Sequence, residues 1–457
     1  MGKLYIVVLL LLFLSTSCTT GNDIEKEDYS DAKDLKITSI DFNGNEITIN
    51  WQYDIDAEND SVFYELYIDS GLIDELNETS STLDLEYNTD YVGKIIAKKK
   101  ENIVSELDFS FSTPISELLF FSDHYGDLTA YDLLTNTILW KTKTNATEVH
   151  SIYNDMIFSG IGSINAFNIF TGDLVWTSNP SPNYGKIYTD ILVDDTHIYA
   201  FDSDSNLHCV AIVSEDIVWD NSFLNHTATL AIDDTRLYVT TTDTDHLYAL
   251  NKNTGMADWS FHLNTATSIN VNPLVTDSSI YIGDNLGIFY SIDKVTGLEN
   301  WNIDSGTSTA FSVSPVLVDN LVIIGTINNL FAYDKDSGVL QWTYTPVGTL
   351  ETSPFIYNTD AYLAVSDNIN SQLVCLNTLD GTLKWSFNLT NDSQSSPIVY
   401  NDVVYSNDLN KKLHAINANT SALNWRIKTN GIVTQSPTIV KGLGDEVIYP
   451  STHGLNN

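Results

Sequence analysis

The sequence predicts an all-β protein in which a small β-sandwich precedes an eight-bladed β-propeller, and three observations carry that prediction. Eight tryptophans, Trp140, Trp176, Trp219, Trp259, Trp301, Trp342, Trp385 and Trp425, recur at spacings of 36 to 43 residues, a period that belongs to propellers or helical arrays. The segments around them alternate, are rich in β-branched and aromatic residues, and break at Asp, Asn and Gly, which selects strands over helices. Between residues 35 and 113 similar alternating segments run without the tryptophan period, as a separate sandwich would.

The chain opens Met-Gly-Lys, continues through apolar residues from Leu4 to Leu14, and reaches Ser15-Thr16-Ser17-Cys18. A positive flank before an apolar run too short to span a bilayer is an export signal. Small residues ahead of a single cysteine resemble a bacterial lipoprotein signal, covering residues 1–18, although Ser15 stands where that pattern usually has Leu. The resemblance implies that Cys18 becomes the lipidated first residue and ties the protein to a membrane. A soluble secreted protein cut nearby is the alternative. Residues 19–34 are polar, acidic and aperiodic, as expected of a tether.

In the 35–113 segment, strands are expected at Leu35–Thr38, Ile47–Trp51, Tyr64–Ile68, Leu83–Tyr87, Tyr91–Lys98 and Leu107–Phe111. Period-two alternation places Ile47, Ile49 and Trp51 on one buried face. Trp51 on an early strand, and Leu85-Glu86-Tyr87-Asn88-Thr89-Asp90-Tyr91 ahead of Ile95-Ile96-Ala97, resemble a fibronectin type III domain with its tyrosine corner. The resemblance implies that the Tyr91 hydroxyl bonds back to nearby backbone and that the module is a spacer or adhesive unit.

From 114 to 457 each repeat reads as a strand ending in a small residue, a polar turn, and a strand carrying Trp. Eight residues before the Trp stands Asp or Asn in every repeat but one, where Ala211 departs; such a side chain closes an Asx turn. Four residues before the Trp stands Gly172, Gly255, Gly297, Gly338 or Gly381, replaced elsewhere by Asn136, Glu215 and Ser421, and Gly supplies a positive φ without steric cost. Two further strands lie upstream, the first headed by Pro273, Pro315, Pro354, Pro397 or Pro437, where a missing N–H does no harm. Ser436-Pro437-Thr438-Ile439-Val440 is then a surplus first strand, able to close the ring on the blade beginning near Glu117. Together these features resemble the PQQ-like repeat family, which implies that all eight tryptophans dock one blade on the next.

Cys209 and Cys375 stand ten residues before their tryptophans, where other repeats have Ala or Ser, so they read as small core residues. They lie in blades that face each other across the ring, too far apart to pair. Asp202-Ser203-Asp204-Ser205-Asn206 begins like a calcium loop, but Leu207 and Val213 occupy the positions that need Gly and Glu, so a hairpin turn is expected. The nine histidines show no zinc spacing, and neither a nucleophile elbow nor a phosphate-cradling glycine loop is present.

Lys plus Arg total 21 against 60 for Asp plus Glu, a net charge of −39, which repels a nucleic-acid backbone. Three functional readings follow, in descending order. The first is a cell-envelope lipoprotein, facing the surface or the periplasm of the outer membrane, whose propeller binds a protein or glycan. The second is a scaffold resembling the outer-membrane assembly lipoprotein BamB. The third is a quinone-dependent dehydrogenase, ranked last because such enzymes add insertions that build a cofactor pocket and a calcium site, whereas these blades are minimal. The expectation is therefore a non-enzyme with no cofactor and no metal.

Overall fold

The computed structural model describes residues 35–450 apart from 44–45, 54–61, 88, 101, 114–115, 145–150, 161–162, 179–190, 203–205, 223–226, 242–244, 264–268, 270, 368, 434 and 443–445. Cys18, and with it the expected signal and tether, lies outside the described residues. The chain divides into two compact units, one containing residues 46–84 and 90–112 together with the strand before them, the other containing 43–45, 85–89 and 113–457.

The first unit holds β1 (Leu35–Asn43), β2 (Glu46–Tyr53), β3 (Phe63–Ile68), β4 (Gly71–Leu76), β5 (Ser80–Asp84), β6 (Asp90–Lys99) and β7 (Asn102–Ser112). They form two sheets, in the orders β1-β2-β5 and β4-β3-β6-β7. Alternation buries Ile47, Ile49 and Trp51 from one sheet and Tyr64, Leu66, Ile95 and Ala97 from the other. The Trp51 ring meets Tyr64 edge-on at 5.7 Å, a favoured aromatic geometry.

Two elements differ from the sequence expectation. The strand expected at Leu83–Tyr87 runs instead from Ser80 to Asp84, because its partner β2 begins at Glu46, opposite Asp84, and offers no ladder beyond. β4 was not anticipated. It is an edge strand whose Leu72 and Ile73 are exposed, so it lacks the alternation that betrays a half-buried strand. Tyr91 is buried and stacks on Phe111 at 5.7 Å.

The second unit is built from eight antiparallel sheets among the described residues. In the sixth, for example, Phe311–Val318, Leu321–Thr326, Leu330–Asp334 and Leu340–Tyr344 pair in sequence order. The first strands of consecutive sheets neighbour one another from the second sheet to the eighth, and apolar side chains fill the space between sheets. Leu118, Phe120 and Ala130 of the first sheet, for example, pack against Ile152, Ile157 and Phe167 of the second. Each such fully buried aliphatic or aromatic side chain contributes about 1.5–3 kcal/mol before the entropic cost of ordering.

The first sheet is assembled from both ends of the repeat region. Glu117–Ser122, Asp127–Asp132 and Thr137–Lys143 supply three strands, and Thr438–Lys441 lies antiparallel to the first of them, with Thr438 opposite Phe120 and Lys441 opposite Glu117. A further strand, Glu446–Ile448, lies beyond it. Joining the last strand to the first sheet removes two open edges at once. Gly431 N donates to Asp123 Oδ2 at 2.7 Å and His124 N to the Ile432 carbonyl at 2.8 Å, so the junction holds outside the ladder too.

Candidate functional site

The repeated tryptophans sit where each sheet meets the next. Every one lies directly across the ladder from the small residue ten positions before it, as in Ala130↔Trp140, Cys209↔Trp219, Ala332↔Trp342 and Cys375↔Trp385. A larger side chain there would fill the space the indole needs. The indole N–H then crosses the seam. Trp140 donates to the Ile169 carbonyl (2.9 Å), Trp219 to Lys252 (2.7 Å), Trp259 to Lys294 (3.2 Å), Trp301 to Lys335 (3.2 Å), Trp342 to Thr378 (2.8 Å) and Trp385 to Ala418 (2.8 Å). In each case the acceptor follows the eighth-before-Trp residue of the next sheet. Trp176 packs with Phe158 and Ile212, and Trp425 of the eighth sheet meets Tyr131 of the first at 5.0 Å. Trp342 is 8 % exposed and the other seven are half-buried.

The turn that receives each indole is fixed by its own side chains. Oδ1 of Asp132, Asn168, Asp293, Asp334 and Asn417 accepts the backbone N–H two residues on, an Asx turn in each case. Gly172, Gly255, Gly297, Gly338 and Gly381 follow with φ between 66° and 72°. A Cβ on any of them would lie 2.5 to 2.9 Å from the indole of the preceding sheet. Glycine is therefore needed twice, for the left-handed backbone and for the tryptophan laid on it. Asn136, Glu215 and Ser421 hold the same left-handed conformation at φ 56°, 60° and 58°.

Sequence reasoning missed an ion pair that reinforces two seams. Lys252 Nζ lies 2.6 Å from Asp194 and Lys294 Nζ 3.2 Å from Asp233, each reaching back to the preceding sheet. Tyr199 and Tyr238 donate to the same two carboxylates. Burial alone would raise the Asp194 carboxyl, but Lys252 and the N–H groups of Thr196 and His197 outweigh it and hold the group at about 2. The signal was present: Lys252, Lys294 and Lys335 each follow the Asx residue in three consecutive repeats.

Two histidines are fully buried on carboxylates inside their own sheets. His208 Nε2 lies 3.0 Å from Asp202 and His414 Nε2 2.8 Å from Asp408. Arg426 Nε donates to His414 Nδ1 at 3.2 Å, which leaves the ring proton on Nε2, facing Asp408. Burial opposes ionisation of Asp408, yet His414 and the Thr390 hydroxyl hold it below the usual carboxylate range. Asp202, head of the calcium-like segment, is taken up by Asn206 N and Nδ2 at 2.8 and 2.9 Å; positions 203–205 lie outside the described residues. Among the described residues no group of three or more His, Cys, Asp or Glu is placed to hold a metal. Cys209 and Cys375 are buried free thiols, each pushed up to about 12 by burial.

At the rim of the eighth sheet, beside its junction with the first, an open hollow of about 610 Å³ is lined by Leu409, Asn410, Lys411, Lys428, Thr429 and Asn430. Lys411 Nζ donates to the Asn430 carbonyl at 3.1 Å and lies 5.7 Å from the Tyr125 ring centre. Lys412 Nζ donates to Thr390 Oγ1 at 3.0 Å.

The family of the outer membrane protein assembly factor BamB matches this chain over residues 160–353 and 348–455. The chain belongs to that family. The matched stretch spans the third to the eighth sheets and most of the second. No curated protein matches the sequence. Among solved structures, the computationally designed Ika8 protein is similar at 13 % identity and a TM-score of 0.56, covering 66 % of this chain and 94 % of its own. AztD from Citrobacter koseri is similar at 14 % identity and 0.55, covering 73 % and 100 %. Quinohemoprotein alcohol dehydrogenase from Comamonas testosteroni is similar at 11 % identity and 0.53, covering 64 % and 70 %. At these identities the likenesses establish a β-propeller and nothing of its chemistry.

Proposed function

We propose that the protein is a non-catalytic lipoprotein of the bacterial outer membrane, anchored through Cys18, whose eight-bladed propeller scaffolds a partner protein. The observation that carries this reading is the BamB-family repeat itself, whose tryptophans, glycines and Asx residues are spent on the seams. The turns at the opposite ends of the third strands take no part in those seams and can carry specificity. A role in assembling outer-membrane proteins is the version of this reading closest to the family. The sheet orders β1-β2-β5 and β4-β3-β6-β7 support a fibronectin type III-like sandwich, acting as a spacer between anchor and propeller.

A quinone-dependent dehydrogenase is the lesser reading. A tricyclic cofactor needs an aromatic surface to stack on, and six of the repeat indoles donate across a seam to the next sheet. The experiment that tests the scaffold reading is crosslinking in intact cells followed by affinity isolation from the envelope fraction. The expected result is one or more envelope proteins captured in stoichiometric amount and lost from a Cys18→Ser strain. Isolation of the protein alone at every crosslinker concentration would contradict the reading.

A further inference from the structure

We propose that the hollow on the eighth sheet binds an acidic glycan, a carbohydrate chain bearing carboxylates, through Lys411, Lys412 and Lys428. The inference rests on reading the propeller as a binding module and names one ligand class and its place.

The first observation is a lysine in a glycine's position. The turn between the second and third strands has the same construction in three sheets. Asp123, Asp284 and Asp408 each accept, through Oδ1, the N–H two residues on, at 2.9, 2.9 and 3.0 Å. The next residue is Gly126 at φ 76° in the first sheet and Gly287 at φ 85° in the fifth, but Lys411 at φ 62° in the eighth. Its carbonyl accepts the N–H of Thr144, Ser305 and Thr429 respectively, at 2.9 Å each, so the three positions are equivalent. The fourth sheet has Asp245 at φ 52° there, a residue type that tolerates the left-handed region. Lysine carries a Cβ, and holding Lys411 there costs the backbone strain that Gly126 and Gly287 avoid.

The second observation is a like-charge pair. Lys412 lies directly opposite Lys428 across the ladder, a repulsive arrangement. The matching positions are Asp127↔Lys143 in the first sheet, Ile288↔Asp304 in the fifth and Gln372↔Asn388 in the seventh. The third observation is the absence of counter-charge. Lys143, Arg236, Lys252, Lys294 and Lys384 of the other sheets pair with carboxylates, whereas Lys141 of the first sheet stands singly without one among the described residues. Among the described residues Lys411, Lys412 and Lys428 have no carboxylate within 4.0 Å, although the chain carries 60 Asp and Glu. Lys412 reaches the buried Asp408 only through the Thr390 hydroxyl, so three cations on so acidic a surface lack a direct ion-pair partner and are placed for an anion from outside.

The surroundings select a sugar. The exposed Asn430 amide is suited to ring hydroxyls, and Tyr125, 54 % exposed beside Lys411, offers an apolar face. A ligand confined to the hollow feels chiefly the local cations, because charges beyond about 8 Å are screened at physiological salt. A duplex laid over the whole surface would meet the net −39.

Calorimetric titration of the full chain with hexagalacturonate, its uncharged methyl ester and hexaglutamate tests the proposal. Saturable binding of hexagalacturonate is expected, with the ester and the peptide weaker by about tenfold or more. Lys411→Gly should weaken hexagalacturonate by a similar factor while holding or raising the melting temperature, since glycine suits that turn. Lys428→Gln should weaken it with the melting temperature unchanged. Absence of saturable binding, or full affinity in Lys411→Gly, would overturn the proposal. So would tighter binding of hexaglutamate, which would assign the hollow to an acidic protein segment. Failure of these titrations with partner capture intact would leave the scaffold reading standing, and the reverse pattern would remove the scaffold reading alone.

Discussion

The two ends of the third strand in each sheet obey different rules. At one end lies the turn that receives the neighbouring tryptophan, and there the residue types recur: an Asx residue, then a left-handed position filled by Gly five times and by Asn136, Glu215 or Ser421 otherwise. At the other end, in the first, fourth, fifth and eighth sheets, the left-handed position holds Gly126, Asp245, Gly287 and Lys411 in turn. The difference teaches where constraint comes from. A turn under another sheet's indole cannot change without opening a seam, whereas a rim turn changes at the cost of its own backbone strain alone.

The largest expected break in that comparison is at a seam. Trp301→Ala removes a half-buried indole and its bond to Lys335, and should cost about 3 kcal/mol in urea denaturation. Leu286→Ala, at the rim turn of the same sheet and 45 % exposed, should cost no more than about 0.5 kcal/mol. Equal losses would mean that the two ends are not different in kind.

A smaller, pH-dependent effect sharpens the account of the reinforced seams. The Asp194 carboxyl is lowered from an ordinary 3.8 to about 2, so its ionised form is favoured by folding. Its contribution is complete above about pH 5, declines as pH falls from 4 toward 2, and is absent below both values. Asp194→Asn should therefore destabilise the protein by about 1–2 kcal/mol at pH 7, and the gap to the unsubstituted chain should close near pH 2. A gap that is the same at both pH values would show that the pair with Lys252 contributes nothing through charge.

Much of the frame was legible in the sequence because its rules repeat. The tryptophan period, the Asx residue and the glycine pointed to the strand order within each sheet, and the surplus Ser436–Val440 segment offered a closure whose register only the ladder with Glu117–Ser122 supplies. The small residue opposite each indole was visible as Ala, Ser or Cys, but that it faces the tryptophan emerged only from the ladder. What the sequence hid lacked a period. Edge strand β4 exposes Leu72 and Ile73 and shows no alternation. The Asp202–His208 and Asp408–His414 pairs share a six-residue spacing, but two copies among eight repeats do not read as a rule. Lys411 looks like any surface lysine until its φ is compared with that of Gly287.

We propose that this ring binds and does not turn over, six of its repeat indoles being committed to seams. That proposal is tested most directly by supplying the purified protein with pyrroloquinoline quinone and calcium and following dye reduction across a panel of alcohols and aldoses. The account predicts rates no higher than those of cofactor and dye without protein. Saturable, cofactor-dependent turnover of any substrate in the panel would contradict it.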